Sequence, residues 1–139
     1  MWECKMGTEI HINFLAVIIS TMMAFIVGFL WYGPLFGKSW LAEMKFTEEE
    51  RKNTNVFKIF GGAIILNLII SANLAAFLGP KEDLVFGLAA GALAGIGWVA
   101  ASLGVTYLFG RKSLRLFLID AGYQAVIYTA MGGILGVWK

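Results

Sequence analysis

The stretch Leu114–Trp138, LRLFLIDAGYQAVIYTAMGGILGVW, is a long apolar run that holds one acidic residue, Asp120. No other acid or base lies between Arg115 and Lys139. A carboxylate in the middle of a membrane helix costs about 2.5–3.5 kcal/mol on insertion scales, so its neighbours or its function must offset that cost. The stretch therefore predicts a membrane helix around which the rest of the chain is organised.

Three further runs without Asp, Glu, Lys or Arg precede it, with lengths of 28, 22 and 27 residues from Ile10, Ile59 and Leu84. A helix needs about 20 apolar residues to cross the hydrocarbon of a bilayer. The whole chain is 59% hydrophobic and only 14% charged, whereas soluble domains average about 25% charged residues. We expect an all-α integral membrane protein of one domain, residues 1–139. Its four transmembrane helices are predicted at about residues 12–32, 56–78, 84–109 and 114–138.

A polar segment joins the first two spans. The Gly33–Pro34 pair is expected to end the first helix, because proline lacks the backbone donor and restricts the residue before it. The spacing of aromatic residues after it predicts a short interfacial helix within residues 35–45, and Thr47 with Glu50 forms a predicted capping box. We interpret the residues around this junction as an interfacial hook, comprising Trp31, Tyr32, Pro34, Phe36, Lys38 and Trp40.

Small residues recur every four positions along the spans. In lipid, such stripes let helix backbones approach closely, because packing rather than hydrophobicity drives helix association. The predicted helix-packing residues are Gly28 in the first span, Gly87, Gly91 and Gly95 in the third, and Gly132 and Gly136 in the fourth. These faces exceed the need of one compact bundle, so they favour a homo-oligomer or packing against other membrane subunits.

Basic residues predict the orientation, since positive loops stay in the cytoplasm. Eight of them follow the first and third spans, against three on the other side. The eight are Lys38, Lys45, Arg51, Lys52, Lys58, Arg111, Lys112 and Arg115, and the three are Lys5, Lys81 and Lys139. Both termini are therefore expected outside.

We predict that Cys4 reacts with a membrane-impermeant thiol reagent in intact cells, because it precedes the first span on the outer side. Cys4 is the only cysteine of the chain, so its labelling reports one position. In a Lys52→Cys variant the new thiol is expected to stay protected until the cells are opened. Protection of Cys4 together with labelling at position 52 would invert the orientation.

Asp120 lies roughly 9 Å inside the cytoplasmic edge at about 1.5 Å per residue. The polar residues expected at similar depth, or along the same helix, are Ser102, Thr106, Tyr123 and Gln124, with Asn67 nearer the midplane. Together they could form a proton or cation site opening to the cytoplasm. Alternatively, Asp120 is a packing device that is neutral or paired with Arg115 and hydrogen-bonded to tyrosine or serine. The packing hypothesis is favoured, because the chain has one acid here and no basic partner at midplane depth.

Other chemistry finds little support. A single cysteine excludes an internal disulfide, and His11 has only Glu9 nearby, whereas metal sites need two or more ligands at helical spacing. No nucleophile–base pair or phosphate loop is present, and the net charge of +2 does not indicate nucleic acid. We expect neither enzyme activity, cofactor, metal nor nucleic-acid partner.

Several motifs resemble a family of small bacterial membrane proteins catalogued as a domain of unknown function, number 1761. They are residues 12–17, 28–40, 47–50, 119–123 and 131–136, of which the Trp-Tyr-x-Pro-x-Phe-Gly-Lys-x-Trp hook is the most specific. The resemblance implies a bacterial four-helix membrane protein, hence one of the cytoplasmic (inner) membrane. It implies no catalytic residue, substrate or cofactor.

Two functional hypotheses follow from the sequence. The favoured one is a structural or accessory membrane protein that packs with itself or with a larger membrane complex. The alternative is a proton- or cation-coupled transporter or channel for a small solute, centred on Asp120, since intramembrane acids are functional by default.

Overall fold

The computed structural model describes residues 13–78 and 83–138, except the side chain of Arg51. These residues form helices joined by short turns, which confirms the all-α class. The α-helices are α1 (Phe14–Leu30), α2 (Gly37–Met44), α3 (Glu48–Lys52), α4 (Val56–Leu78), α5 (Leu84–Leu93), α6 (Ala101–Phe109) and α7 (Leu114–Val137). Two π-helical segments interrupt the series, π1 (Trp31–Leu35) and π2 (Ala94–Ala100). The structure does not describe Cys4, Lys5, Glu9, His11, Lys81 or Lys139, so the orientation stays a prediction.

Three continuous helices are long and apolar enough to cross a membrane. They are Phe14–Leu35 with 22 residues, Val56–Leu78 with 23 and Leu84–Phe109 with 26, close to the first three predicted spans. At about 1.5 Å per residue each exceeds 30 Å. The helix α7 is as long, with 24 residues, but Asp120 and Gln124 lower its hydropathy and it is not one of these three.

The helix α7 is the centre of the bundle and packs against α1, α4, α5 and α6. Its large side chains Leu116, Ile127, Met131 and Leu135 are at most 2% exposed. Small and aliphatic residues of α1 and α4 complete this core, namely Ala16, Val17, Ala24, Leu74, Ala75 and Leu78. Most other large apolar side chains point outward, as a lipid-facing surface would require.

The helices α1 and α7 run antiparallel along their whole lengths. At one end the Asn13 side-chain amide donates to the Trp138 carbonyl at 3.3 Å. At the other end the Trp31 indole N–H donates to the Ile119 carbonyl at 2.9 Å. Residues 13 and 138 therefore lie at the same end of the bundle.

Glycines bring the backbones of α5 and α7 into direct contact. A Cβ atom built on Gly87 would lie 2.2 Å from the carbonyl oxygen of Gly132, and one on Gly91 would lie 2.2 Å from that of Tyr128. Real Cβ atoms do not approach an oxygen so closely, so glycine is required at both positions. Gly95 also lies close to α7, because a Cβ atom built on it would lie 2.8 Å from the Cβ atom of Tyr128.

The remaining predicted packing glycines also lie at contacts within the chain. A Cβ atom on Gly136 would lie 2.8 Å from the Asp83 carbonyl oxygen, and one on Gly28 would lie 3.1 Å from the Tyr123 hydroxyl. The argument that these faces exceed the need of one bundle was therefore wrong, because the folded chain covers them itself. Self-association stays a prediction without that support.

Pro34 does not end the first helix, contrary to the sequence-based expectation. The chain continues as π1 with Pro34 inside it, and the Phe36 N–H donates to the Trp31 carbonyl at 2.8 Å, five residues back. This wider turn lets the helix pass a residue that has no backbone donor to contribute. The chain changes direction at Phe36, where φ is −123° and ψ is 7°.

The polar segment after π1 follows the prediction more closely. The helix α2 lies within the predicted residues 35–45 and packs against π1 and α7. The capping box of α3 is confirmed, because Thr47 and Glu50 exchange side chain–backbone hydrogen bonds of 3.1 and 3.2 Å.

Candidate functional site

Two tyrosine hydroxyls from different helices hold the Asp120 carboxylate. The Tyr32 hydroxyl donates to Oδ1 at 2.6 Å, and the Tyr107 hydroxyl donates to Oδ2. Tyr32 belongs to π1. Tyr107 lies on α6, the helix that follows π2. Hydrogen bonds to a charged group contribute about 1.5–3 kcal/mol in proteins, so this pair offsets much of the cost of placing an acid here.

The hook residues position Tyr32. The hydrogen bond from Trp31 to the Ile119 carbonyl anchors π1 one residue before Asp120. The Tyr32 ring then lies edge-on between two aromatic rings, with centroid separations of 5.4 Å to Trp40 and 5.2 Å to Tyr123. The hook therefore supports the acid from π1 and α2, in addition to any role at the membrane interface.

A cavity of about 840 Å³ opens beside the carboxylate. Of the described residues that line it, seven of twelve are aromatic, and Asp120 alone among them carries a formal charge. The aromatic residues are Phe25, Phe29, Tyr32, Trp40, Phe60, Tyr107 and Tyr123. The cavity is therefore an aromatic chamber with one acidic group in its wall.

No cation balances Asp120 among the side chains that the structure describes. Its interactions are the two tyrosine bonds. Arg115, the partner considered from the sequence, instead lines a separate cavity with Trp31, Phe36 and Leu118. That pairing was therefore wrong: Arg115 lies five residues before Asp120, which places the two side chains on different faces of α7.

The other residues expected around Asp120 are more dispersed. Tyr123 lines the cavity, but its hydroxyl donates to the Ala24 carbonyl at 2.8 Å rather than to the acid. Asn67 donates to the Ala63 carbonyl of its own helix at 3.0 Å. Ser102 and Thr106 are exposed on α6, and Gln124 is half-buried on α7. The structure does not bring Asn67, Ser102 or Thr106 to the carboxylate.

The remaining hook residues lie on the outer side of this arrangement. Phe36 packs on Trp31 with ring centroids 4.8 Å apart, while Pro34 and Lys38 are exposed. Tyr107 is the site residue that sequence reasoning missed. It is the neighbour of Thr106, the residue that the rise per residue places at the depth of Asp120.

The site is a single carboxylate, and within residues 13–78 and 83–138 no three His, Cys, Asp or Glu side chains come together as metal ligands would. Comparison with known proteins gives one match. A family model described as "Protein of unknown function (DUF1761)" matches residues 15–136, which confirms the family resemblance. No curated protein and no solved structure matches the chain.

Proposed function

We propose that this chain, which belongs to the DUF1761 family of proteins of unknown function, is a small membrane carrier that binds its solute or coupling cation at Asp120. One observation carries the proposal: the acid lies in the wall of a chamber of about 840 Å³, unpaired by any described cation. Ionisable residues inside membranes are rare and usually mark transport pathways or proton relays. The structural-subunit hypothesis has lost its main support, because the glycine faces are covered within the chain.

The Asp120 cluster suits a group that gains and loses a cation. The charged carboxylate has further lone pairs beyond those that Tyr32 and Tyr107 occupy. A protonated carboxyl could instead donate to one of the same hydroxyls, because a phenol both donates and accepts. In the charged state both hydroxyls are paired with the carboxylate. In the protonated state the accepting phenol turns its own O–H to the cavity that it lines, where solvent or solute can accept it. The site can therefore change its charge without the cost of an orphaned donor or acceptor.

The same proposal includes the membrane placement. The helix α7 lies antiparallel to α1 from Trp138 to Ile119, which supports a fourth crossing. With the basic segments in the cytoplasm, the chamber would open near the cytoplasmic face of a bacterial inner membrane. Both termini would then lie outside, as the labelling of Cys4 tests.

Asp120→Asn is expected to abolish proton-linked flux while keeping the fold, since asparagine matches aspartate in size but cannot carry the proton. The parent and the variant are reconstituted into liposomes, and dissipation of a pH gradient is followed with an internal dye. The external medium holds either no solute or a mixture of amines, amino acids and sugars. The parent should exceed protein-free liposomes in at least one medium, and Asp120→Asn should not.

Glu49→Gln is the matched control, because it removes one exposed carboxylate of α3 that takes no part in the capping box. It should transport like the parent. The unfolding midpoints of all three proteins in one detergent establish equal stability. Flux in Asp120→Asn equal to that of the parent, or a parent no faster than empty liposomes in both media, would return the function to a structural subunit.

A further inference from the structure

We infer that the chamber beside Asp120 binds a hydrophobic ammonium ion, with the charged nitrogen at the carboxylate and the apolar body among the aromatic rings. The inference rests on the proposed function only in using the same site. It names the chemical class of ligand, which neither the family match nor the proton-linked role supplies.

Charge selects a cation. Among the described residues of the chamber wall, Asp120 contributes the only formal charge, and no described cation neutralises it. A charge that is half removed from water and has no opposite charge beside it is costly, and a bound cation would offset what the two tyrosine bonds do not. An anion would meet repulsion, and a neutral solute would leave the acid uncompensated.

The wall selects an organic cation over a divalent metal ion. Calcium requires six to eight oxygen ligands and magnesium an octahedral set, whereas the side-chain oxygen groups of the described chamber wall are one carboxylate and three phenols. Aromatic faces instead attract ammonium groups through the ring quadrupole, as in the aromatic cages that recognise quaternary ammonium. The ring centroids of Trp40 and Tyr123 lie 5.4 and 5.2 Å from that of Tyr32, whose hydroxyl bonds the acid.

The rest of the chamber suits an apolar body. Phe25 and Phe60 both line the cavity, with ring centroids 6.3 Å apart, and neither side chain has a polar group. A volume of about 840 Å³ lies within the roughly 300–1,000 Å³ of small-molecule sites.

Two apolar residues of the chamber wall are exposed. Phe29 and Ile59 are 77% and 55% exposed and lie on helices apolar enough to cross a membrane, so this side of the chamber would face lipid and an amphipathic ligand could enter from there. The ammonium group could belong to a water-soluble amine or to the headgroup of phosphatidylethanolamine. The chemistry is the same in both cases, and the experiment separates the two sources.

The test is equilibrium binding of radiolabelled benzyltrimethylammonium to the full chain in nanodiscs of an uncharged glycolipid, with empty discs as background. Unlabelled benzyltrimethylammonium and its neutral isostere neopentylbenzene compete for the site. We expect the neutral compound to compete at least about tenfold less well, since a tenfold change corresponds to about 1.4 kcal/mol. Equal competition by both compounds would overturn the inference, and this comparison needs no variant.

Variants locate the site. Asp120→Asn should weaken binding about tenfold or more, and Trp40→Leu by roughly three- to tenfold, the range expected for a lost cation–π contact. Their controls are Glu49→Gln and Trp98→Leu, because Trp98 is 64% exposed and packs on Phe77 away from the chamber. Unchanged binding in Asp120→Asn, or equal losses in Trp40→Leu and Trp98→Leu, would also contradict it.

Phosphatidylethanolamine mixed into the discs distinguishes the sources. Weaker probe binding in its presence identifies a lipid headgroup as the ligand, and unchanged binding identifies a soluble amine. Selective binding of the ammonium compound without flux in liposomes would support this inference and contradict the proposed carrier function. Flux that depends on Asp120, without preference for the ammonium compound, would support the carrier function and contradict this inference.

Discussion

Gly91→Ala is expected to lower the free energy of unfolding by about 3 kcal/mol, at the upper end of overpacking costs. The new methyl group would lie 2.2 Å from the Tyr128 carbonyl oxygen, an atom of the backbone that cannot rotate away. The helices α5 and α7 must therefore separate, and that loosens the contact along Gly87 and Gly95 as well. Unfolding in mixed detergent micelles measures the effect.

Gly97→Ala is the matched control on the same continuous helix. Its nearest neighbour beyond the local backbone is Leu93 Cδ1 at 4.0 Å, so the methyl group meets open space. Because alanine favours helix over glycine by about 1 kcal/mol, this variant should be as stable as the parent or slightly more so. If Gly91→Ala matched Gly97→Ala, α5 and α7 would not have backbones in contact.

The Tyr32→Phe, Tyr107→Phe double variant is expected to lose about 2–4 kcal/mol of stability. Each hydroxyl donates to one oxygen of Asp120. Double-mutant cycles in membrane proteins give an average of about 0.6 kcal/mol per hydrogen bond, with a maximum near 1.7. Hydrogen bonds to charged groups contribute about 1.5–3 kcal/mol. The same detergent unfolding measures the parent and the variants.

The reason for that loss is tested by repeating the two changes in an Asp120→Leu background. There the hydroxyls have no carboxylate to bond, so their removal should change stability by much less. Tyr123→Phe serves as the control, because its hydroxyl donates to the Ala24 carbonyl and its effect should be the same in both backgrounds. Equal losses with and without Asp120 would show that the tyrosines contribute by packing alone.

The helical fold was readable because membrane hydrocarbon permits few structures. Long uncharged runs set the helix lengths, and Thr47 with Glu50 marked a helix start, since each signal depends on residues close in sequence. The glycine faces were also readable as places of close approach. Which helix each face meets was not, because small residues in every span fit several partners equally well.

The contact of Tyr107 with Asp120 was missed. Depth along a regular helix indicated Ser102 and Thr106, which also continue the face of Gly95 by seven and eleven residues. The segment π2 lies between and widens the turn, so the face of α6 advances by one residue and Tyr107 meets the acid in place of Thr106. The sequence of π2, AGIGWVA, does not indicate a π-helix, since its glycines and alanines are equally compatible with α-helical geometry.

Neighbouring hydroxyls at positions 106 and 107 would let π2 change the donor to Asp120 by a shift of one residue in helical register. The helix α5 is fixed to α7 by backbone contacts at its glycines, whereas α6 has no buried residue and meets α7 through side chains such as Tyr107, which contacts Asp120 and Phe117. A return of π2 to α-helical geometry would rotate α6 by about 100°, which removes the phenol of Tyr107 from the carboxylate and turns the shorter hydroxyl of Thr106 towards it. A spin label at position 106 would report that rotation as a second, less exposed environment. Asp120 would then lose one of its two donors by a shift in helical register, while the rest of the bundle stayed still.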